Sequence, residues 1–590
     1  MLNGWLRALD PTSPRGDRAG RWALALSLAV AIGCALPALF QAFSGPYVVQ
    51  DDARQHVFWM QRWLHPDRFP NDLMADYFQS VAPWGYQGLY RLGSILGLDP
   101  MVFNKLLPIG LGTLTTFLCF QVVWQLLPVP LAAFSACVFL NQNLWIADDL
   151  VSGVPVAFIY PLFFLFLKGW LGRSLWQLFS AIGLLAGFYP HGVLLGSSLI
   201  GLDLIWQAWL IAQRSPFQVR SLLKTLWNQR QLELSLLIFS GLVLLPFLGK
   251  SSQYGPVLTA AEAKTFWAQF FQVEPAWAYW FKHRRTGLIP IDWWEIDFAF
   301  PQIILTLLFP ILWWQRDRFP LAQATRSSLV FVPQLLIVSG AWFTVAHLLL
   351  FRLHLPNRYS EHSLRIVVAI LGAIALSWLV QKAWQWAKSR PPNAKLSNPK
   401  AKGLVLLITG FLLIYPFTFP GFPATQYEIG NHPQLYEFFQ NQPVIIRIAS
   451  TTRETDNLPS FAQRSIVVGP GFTMRYHRRY ATELLQRATD LIVGQYTPNP
   501  DRLREILNRY SVDFWLLDRA DFDPNQLQKM GWVRWFRASP QEPLAIAHRQ
   551  AIEQLRRGEV PVMQTLLDRC QQFTDQSLVV LNGNCLRSSL

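Results

Sequence analysis

The sequence WALALSLAVAIGCALPALFQAF at residues 22–43 is an uninterrupted apolar run, and SGPYVVQDDA follows it at 44–53. A helix needs about 20 apolar residues to cross a bilayer, so this run is long enough to do so. A cleaved signal peptide is the alternative, because Ala35-Leu36-Pro37-Ala38 is loosely compatible with a cleavage site. We favour a membrane span, which leaves the acidic Asp51 and Asp52 close to its outer end.

Ten further apolar runs follow, and they indicate a polytopic helical membrane protein of mainly α fold class. The composition agrees, because 52% of the residues are hydrophobic and only 15% are charged, against about 25% charged in soluble domains. A single soluble core could not bury so much apolar sequence. The predicted spans, about eleven, are 22–43, 101–127, 130–147, 154–171, 175–190, 192–212, 233–249, 301–315, 328–350, 363–386 and 403–420.

Basic residues in the short connections set the predicted orientation. Counting spans places four Lys/Arg-rich segments on one side, and such segments favour the cytoplasm. They are the N-terminus 1–21 and the loops 213–232, 316–327 and 387–402. The surplus that produces a net charge of +15 lies largely in these loops, so we do not expect a nucleic-acid partner. Outside the membrane this orientation places the loops 44–100 and 250–300 and the whole region 421–590.

The first outer loop is amphipathic. Aromatic and apolar residues alternate with basic ones over 54–64 in a helix-like pattern, and 69–78 predicts a second short helix. Aromatic-rich amphipathic segments beside a membrane usually lie in the interface plane. We therefore expect this loop to rest on the bilayer surface.

The region 421–590 differs in character from the apolar part. Short apolar strands are predicted at 444–448, 465–468 and 512–517, with helices at 478–493 and 500–510 between them. This alternation predicts a small extracytoplasmic α/β domain. Cys570 and Cys585 lie in it at a spacing that suits one disulfide in an oxidising compartment.

Two acidic pairs occur at predicted outer ends of spans. Asp51-Asp52 follows the first span and Asp148-Asp149 follows the third. Charge at the bilayer edge is expensive and tends to mark function. Together the pairs could hold a divalent cation such as Mg²⁺ or Mn²⁺, which prefers oxygen ligands. The alternatives are that one aspartate of the first pair caps a helix, and that the second pair belongs to a solvated turn.

The outer loop 350–365 is basic although the predicted topology places it outside. It contains Arg352, Arg358 and Arg365. Arginine is the preferred residue for bidentate binding of phosphate, and a lipid phosphate at the outer leaflet is a natural ligand. The alternative is that these arginines pair with lipid headgroups or with the acidic pairs.

These features together resemble the GT-C superfamily, the integral membrane glycosyltransferases that use lipid-phosphate-linked sugars. The resemblance covers roughly 20–420 and rests on Val49-Gln50-Asp51-Asp52-Ala53, on the helices after it, and on a late outer arginine. Trp145-Ile146-Ala147-Asp148-Asp149 is similar to the second acidic motif, but has Asp-Asp where the superfamily has Asp-x-Asp. No segment matches the acceptor-sequon pocket motif of oligosaccharyltransferases.

The resemblance implies a role for each candidate residue. Asp51 or Asp52 would be the general base that deprotonates an acceptor hydroxyl, and displacement would invert the anomeric carbon. Arg358 would neutralise the departing lipid phosphate, with Arg352 and Arg365 as further candidates. Asp148 and Asp149 would hold a cation or orient the acceptor. The implied partners are a polyprenyl-phosphate sugar donor, membrane lipids, and an acceptor that is a lipid, glycan or protein.

Two other functions compete with this one. A transporter or flippase of lipid-linked sugars would show charged residues deep within spans and repeat symmetry, and the sequence shows few such charges and no visible repeat. A non-catalytic membrane scaffold would not need the carboxylates. The proposed outer parts contain no Asn-x-Ser/Thr sequon, which favours a bacterial plasma (inner) membrane over the endoplasmic reticulum.

Overall fold

The computed structural model describes residues 17–214, 231–249, 252–289, 300–391, 398–418 and 421–590. Parts of several predicted segments lie outside the described residues. They are 1–16 of the basic N-terminus, 215–230 of the first basic loop, 250–251 and 290–299 of the second outer loop, 392–397 of the last basic loop, and 419–420.

Each of the eleven predicted apolar runs forms a helix. The helices of this part of the chain are α1 Asp17–Ala42, α2 Asp51–His56, α3 Leu73–Val81, α4 Trp84–Ile95, α5 Pro100–Leu126, α6 Pro130–Trp145, α7 Ile159–Gly172, α8 Leu175–Phe188, α9 His191–Arg214, α10 Gln231–Gly249, α11 Ala260–Phe266, α12 Ala276–Phe281, α13 Phe300–Trp314, α14 Pro320–Ala324, α15 Phe331–Leu348, α16 Asn357–Lys388 and α17 Asn398–Ile414. Six helices of the described residues are long and apolar enough to cross a membrane: α1, α5, α7 with the turn before it, α9, α15 and α16. The count of eleven crossings stays a prediction.

Helix α16 is the central element of the bundle. It packs against α6, α13, α15 and α17, and 89% of its most apolar window is buried. Leu, Val, Ile and Ala fill that window on all sides, which is the pattern of a helix surrounded by protein. The first turns of α16 carry polar residues instead, so this end of the bundle can hold a polar site.

The first outer loop departs from its predicted structure. The helix predicted over 69–78 begins only at Leu73, because Phe69 and Asn71 adopt left-handed backbone angles with φ of 55° and 50°. Asp72 caps α3 by accepting the N–H groups of Met74 and Ala75, at 3.0 and 2.9 Å. The helix predicted over 54–64 is divided into α2 and a 3₁₀ turn, Phe58–Trp63.

The loop also packs on the C-terminal region of the protein, and its predicted position at the membrane interface stays a prediction. Tyr77 stacks on Tyr480 with ring centroids 3.6 Å apart, and Phe58 packs edge-on against Phe472 at 5.4 Å. Both partners belong to the C-terminal region. These aromatic rings bury their area against each other, so the loop connects the bundle to the region 421–590.

The C-terminal region contains a mixed five-stranded sheet. The strands of the chain are β1 Val48–Gln50, β2 Tyr427–Ile429, β3 Arg447–Ser450, β4 Ser465–Ile466, β5 Phe514–Asp518, β6 Gln571–Asp575 and β7 Leu578–Asn582. The sheet order is β4-β3-β5-β7-β6, with β3 parallel to β4 and β5, and with β7 antiparallel to β5 and β6. The three strands predicted from sequence correspond to β3, β4 and β5, while the β6–β7 hairpin was not predicted.

Helices cover this sheet, and two of them carry the cysteine pair. They are α18 Pro433–Gln440, α19 Leu458–Phe461, α20 Arg478–Tyr496, α21 Pro500–Arg509, α22 Pro524–Lys529, α23 Trp532–Trp535, α24 Pro543–Arg556, α25 Val562–Thr565, α26 Leu567–Cys570 and α27 Gly583–Ser589. Cys570 and Cys585 form a disulfide between α26 and α27, with Cα atoms 5.4 Å apart. That separation lies within the range that disulfides span without backbone movement.

The segment that enters the C-terminal region connects elements at one end of the bundle, the end that the sequence predicts to lie outside. Strand β2 pairs antiparallel with β1, directly before Asp51. The N–H of Ala424 donates to the carbonyl of Trp145 at the end of α6, at 2.8 Å, and the N–H of Asp51 donates to the carbonyl of Gln426, at 3.1 Å. The β1–β2 pairing and these two backbone hydrogen bonds place the two predicted acidic pairs on one face of the bundle.

Candidate active site

Asp51 and Asp52 open the short helix α2, but neither aspartate caps it. Gln50 is the cap, because its Oε1 accepts the N–H groups of Asp52 and Ala53 at 2.8 and 3.3 Å. Both carboxylates are therefore available for other contacts. Capping of the helix therefore does not explain the acidic pair, since the Gln50 side chain already accepts the free N–H groups at the start of α2.

The two aspartates have different surroundings. Asp51 forms a hydrogen-bonded ion pair with the buried Arg54. Arg54 also donates to Asn457 Oδ1 at 2.8 Å and lies 3.6 Å from Glu428, both in the C-terminal region. Asp51 thus helps to fix α2 against the rest of the protein.

Asp52 has no such partner. Within the part of the chain that the structure describes, no side-chain or backbone donor hydrogen-bonds to the Asp52 carboxylate. Burial, together with the nearby Asp148 and Asp51 carboxylates, raises the pKa of Asp52 to about 7, and Arg358 offsets only part of this effect. A carboxylate with a pKa near neutrality can both accept and hold a proton at physiological pH, which suits a general base.

Asp149 is committed to two arginines. Its Oδ2 accepts Arg365 Nη1 at 2.5 Å, and its Oδ1 lies 3.4 Å from Arg358 Nη1. Burial opposes ionisation here, but Arg365 and Arg358 outweigh it and hold the pKa of Asp149 well below its usual range. Asp149 is therefore a permanent counter-ion.

Asp148 resembles Asp52 more than it resembles its neighbour. Its nearest cation is Arg284, at 3.8 Å, and burial together with the charge of Asp149 raises its pKa. Asp148 and Asp149 are 9% and 8% exposed. This burial rules out the solvated turn that was the alternative for the second acidic pair.

The three predicted arginines do not share one position. Arg358 lies at the start of α16, partly exposed, where it contacts Asp149 and acts electrostatically on Asp52. Arg365 lies two turns further on and is fully buried, bound to Asp149, to Glu361 at 2.8 Å and to the Tyr160 hydroxyl at 2.7 Å. Arg352 is exposed in the loop before α16 and acts on Glu262. The structure does not bring Arg352 to the other two.

The site includes residues that sequence reasoning missed. Glu361 binds Arg365 and lies 3.7 Å from Arg358, and its i+3 and i+4 spacing from these arginines was a signal that could have found it. Tyr160, His362 and Tyr189 form a buried chain, with 2.9 Å between His362 Nδ1 and the Tyr160 hydroxyl and 3.3 Å between His362 Nε2 and the Tyr189 hydroxyl. These residues come from α7, α16 and the end of α8, and no local pattern connects them.

The acidic residues offer little to a metal ion. Among the described residues, no group of three or more His, Cys, Asp or Glu side chains is disposed to hold one. Asp149 is already bound to arginines, so Asp148 and Asp52 remain as the carboxylates free to act as ligands. Cation binding by the Asp148-Asp149 pair stays a prediction.

No family model matches the sequence, and no curated protein matches it. Among solved structures, the chain is similar to the oligosaccharyltransferase of Archaeoglobus fulgidus in the apo form, with a TM-score of 0.51 and 13% identity over 88% of this chain and 72% of that one. It also matches ArnT from Cupriavidus metallidurans bound to undecaprenyl phosphate, with a TM-score of 0.42 and 13% identity over 94% of this chain and 97% of that one. The first likeness shows that the chain has the fold of that oligosaccharyltransferase, which is the fold that the predicted resemblance implies.

Proposed function

We propose that this protein is a glycosyltransferase that moves a sugar from a polyprenyl-phosphate-linked donor to an acceptor hydroxyl at the outer face of the membrane. The observation that carries the proposal is the position of the Asp52 carboxylate, which accepts no hydrogen bond from the described residues and lies under the electrostatic influence of Arg358, while burial and the carboxylates of Asp148 and Asp51 raise its pKa. A base of this kind beside a phosphate-binding cation matches the needs of glycosyl transfer from a phosphate leaving group. The GT-C fold supports the same reaction class.

Asp52 acts as the general base in this mechanism. Its carboxylate accepts the proton of the acceptor hydroxyl while that oxygen forms a bond to the anomeric carbon. The bond from the anomeric carbon to the donor phosphate oxygen breaks, and the lipid phosphate leaves with the electron pair. A single displacement of this type inverts the anomeric configuration. A positioned base contributes roughly 10²–10⁴ in rate.

Arg358 neutralises the phosphate as it departs. It is partly exposed, whereas Arg365 is fully enclosed, so Arg358 is the one that a donor could contact. Arg358 is held in place by ion pairs with Asp149 and Glu361. Arg365 binds both of these carboxylates on their buried side. A phosphate is a good leaving group, so no acid has to protonate it.

Asp148 either orients the acceptor hydroxyl or is a ligand of a divalent cation. Its raised pKa and its distance of 3.8 Å from Arg284 leave it less neutralised than Asp149. The mechanism assigns no step to a metal.

The proposed location is a plasma membrane, with the N-terminus in the cytoplasm and 421–590 as an extracytoplasmic domain. The charge of the connecting loops supports this orientation. The β1–β2 pairing and the backbone hydrogen bonds beside it keep the acidic pairs and the region 421–590 at the same end of the bundle. The partners are the donor, membrane lipids, and a lipid, glycan or protein acceptor.

The test replaces each aspartate separately in cells that lack the native gene, followed by analysis of envelope glycans. Cells that receive the native gene should regain the native envelope glycans. Cells that receive Asp52→Asn should not, because the amide cannot accept the proton. Asp67→Asn is the matched control, since Asp67 is an exposed residue of the same loop. Fully inserted Asp52→Asn protein that restores the native glycans would sink the catalytic role.

A further inference from the structure

The short helix α12 exposes three large apolar side chains. Trp277, Trp280 and Phe281 are 51%, 49% and 49% exposed. Their spacing of three and four residues places them on one side of the helix, while Ala278 on the other side is buried. We call these three side chains the aromatic patch. An exposed apolar patch of this kind marks contact with a membrane or with another protein.

The segment 276–289 holds the aromatic patch in a fixed position. After α12 the chain turns back, and the N–H of Leu288 donates to the carbonyl of Trp280 at 2.8 Å. The N–H of Gly287 donates to the carbonyl of His283 at 2.7 Å. A Cβ atom at Gly287 would lie 2.8 Å from that carbonyl oxygen, so a side chain here would force the turn apart. A compact turn therefore presents the patch.

The aromatic patch lies at one end of α15, which is long and apolar enough to cross a membrane. The Trp280 ring packs on His347, in the last turn of α15, with centroids 4.3 Å apart. His347 Nε2 also lies 3.1 Å from the carbonyl oxygen of Thr286. The next residues, Leu348 and Leu349, are exposed. Exposed leucines at the end of a membrane-crossing helix face lipid, and the patch continues their surface.

Basic side chains border the aromatic patch. Lys282 directly follows α12, and its Nζ lies 5.4 Å from the centroid of the Trp277 ring. Lys282 and Arg284 are both exposed. Tryptophan is enriched at membrane interfaces, and interfacial segments combine such aromatic side chains with lysine and arginine. Anionic headgroups attract the basic side chains, so the patch and its border together fit a lipid surface.

We infer that the segment 276–289 docks into the surface of the bilayer, with Trp277, Trp280 and Phe281 in the interface. The partner is the lipid leaflet at the end of the bundle that carries the candidate site. Burial of these side chains removes apolar area from water, which is favourable. The inference concerns a surface apart from the reacting groups and does not depend on the proposed reaction.

The docked segment connects the lipid surface to the candidate site. Asn357 Nδ2 donates to the Arg284 carbonyl at 2.9 Å, which ties the segment to the start of α16. The Arg284 guanidinium lies 3.8 Å from the Asp148 carboxylate. Docking of the aromatic patch therefore fixes the height of this end of the site relative to the lipid.

The experiment places a fluorescent probe beside the aromatic patch in the full-length protein. Ala276 is exposed and lies one turn before Trp280, so Ala276→Cys keeps all three aromatic side chains. The label is selective, because the other cysteines are buried or in the disulfide. The protein, labelled with a nitrobenzoxadiazole group, is inserted into nanodiscs of phosphatidylcholine and phosphatidylglycerol. We expect lipids that carry a nitroxide near the glycerol to quench most of the fluorescence.

Val560→Cys is the matched control. Val560 is exposed as well, and it lies beside the end of α20, where the N–H of Val562 donates to the Thr497 carbonyl at 3.0 Å. The start of α20 contacts the second outer loop, since the N–H of Arg479 donates to the Tyr254 carbonyl at 3.1 Å. The 19 residues of α20 separate the two ends by about 28 Å. A label at Val560 should therefore keep its fluorescence.

Trp277→Ser combined with Phe281→Ser should remove most of the quenching at the Ala276 label. Quenching that is absent at Ala276, or equal at Ala276 and Val560, would overturn the inference, and so would quenching that survives both serine substitutions. If that variant does not insert, the comparison of the Ala276 and Val560 labels decides. Fluorescence that changes with the number of protein copies per disc, and not with the nitroxide lipid, would assign the patch to a second copy of this chain and overturn the inference too. Sugar transfer is not measured, so each of these outcomes leaves the proposed function intact.

Discussion

Arg365 Nη1 lies 2.5 Å from Asp149 Oδ2, and the two side chains are 0% and 11% exposed. One predicted phosphate ligand is therefore bound to one predicted acidic residue, and the pair is buried at one end of the bundle. Because Arg365 and Asp149 are bound to each other, Arg358 and Asp52 are the groups that we propose to contact the substrate. The buried pair serves as the support on which the exposed arginine is positioned.

Asp149→Asn should destabilise the protein strongly. The substitution leaves Arg365 buried with one remaining carboxylate, and removal of one partner from a buried pair costs about 3 kcal/mol or more. We expect a clear fall in the thermal unfolding temperature of the purified protein in detergent. Asp67→Asn, at an exposed position, should change the free energy of unfolding by less than about 0.5 kcal/mol.

A double-mutant cycle separates the pair from its surroundings. The combination Asp149→Asn with Arg365→Gln removes both charges, so it should be less destabilising than the sum of the two single variants. Strict additivity of the two effects would show that the ion pair contributes nothing to stability.

The rate of sugar transfer should depend on the ionisation of Asp52. The base must be deprotonated, and its pKa is raised to about 7. The rate should therefore be nearly constant above that pH and fall about tenfold per unit below it. The measurement is a pH profile of transfer by the purified protein.

Asp148→Asn should shift this profile toward lower pH. Asp148 is the charged neighbour with the largest effect on Asp52, and loss of a like charge makes ionisation of Asp52 easier. Arg358→Gln should shift the profile in the opposite direction, because it removes a favourable positive charge. A midpoint that is the same in all three proteins would show that Asp52 is not the base.

The apolar runs predicted the helices well because the backbone hydrogen bonds of a helix are local, so that a long apolar run forms a helix without help from distant segments. The bounds of the eleven predicted runs and of the helices that they form differ by at most six residues, as at the start of α16, predicted at 363 and found at Asn357. The first outer loop was harder, since the left-handed angles at Phe69 and Asn71 depend on turn geometry that no periodicity reveals. Its contact with the C-terminal region is tertiary, and an amphipathic pattern cannot distinguish burial against protein from burial against lipid.

The candidate site was predicted only in part, because some of its contacts are also tertiary. Span counting brought the two acidic pairs and Arg358 to one face, and the structure places them together. The sequence could not distinguish Asp51 from Asp52, because the difference comes from Arg54 and its partners in the C-terminal region. Arg352 was expected beside Arg358 because the two are close in the chain. The structure places it at an exposed position of the loop, near Glu262.

Reduction of the Cys570–Cys585 disulfide should weaken the C-terminal region. The bond closes a loop with a sequence separation of 15, which corresponds to about 3 kcal/mol in the chain-entropy model. We expect Cys570→Ser combined with Cys585→Ser to unfold at a lower temperature than the native protein. Both thiols should resist alkylation in native protein until a reductant is added, and free thiols without reductant would contradict the pairing.

The orientation of the chain can be tested with one introduced thiol. Asp501 is 83% exposed, at the start of α21, and the three cysteines Cys34, Cys119 and Cys137 are buried. An Asp501→Cys protein should therefore react with a membrane-impermeant maleimide in intact spheroplasts, because the proposed orientation puts 421–590 outside the membrane. The native protein is the control and should stay unlabelled. Reaction only after the membrane is permeabilised would put this domain, and with it Asp52 and Arg358, on the cytoplasmic side.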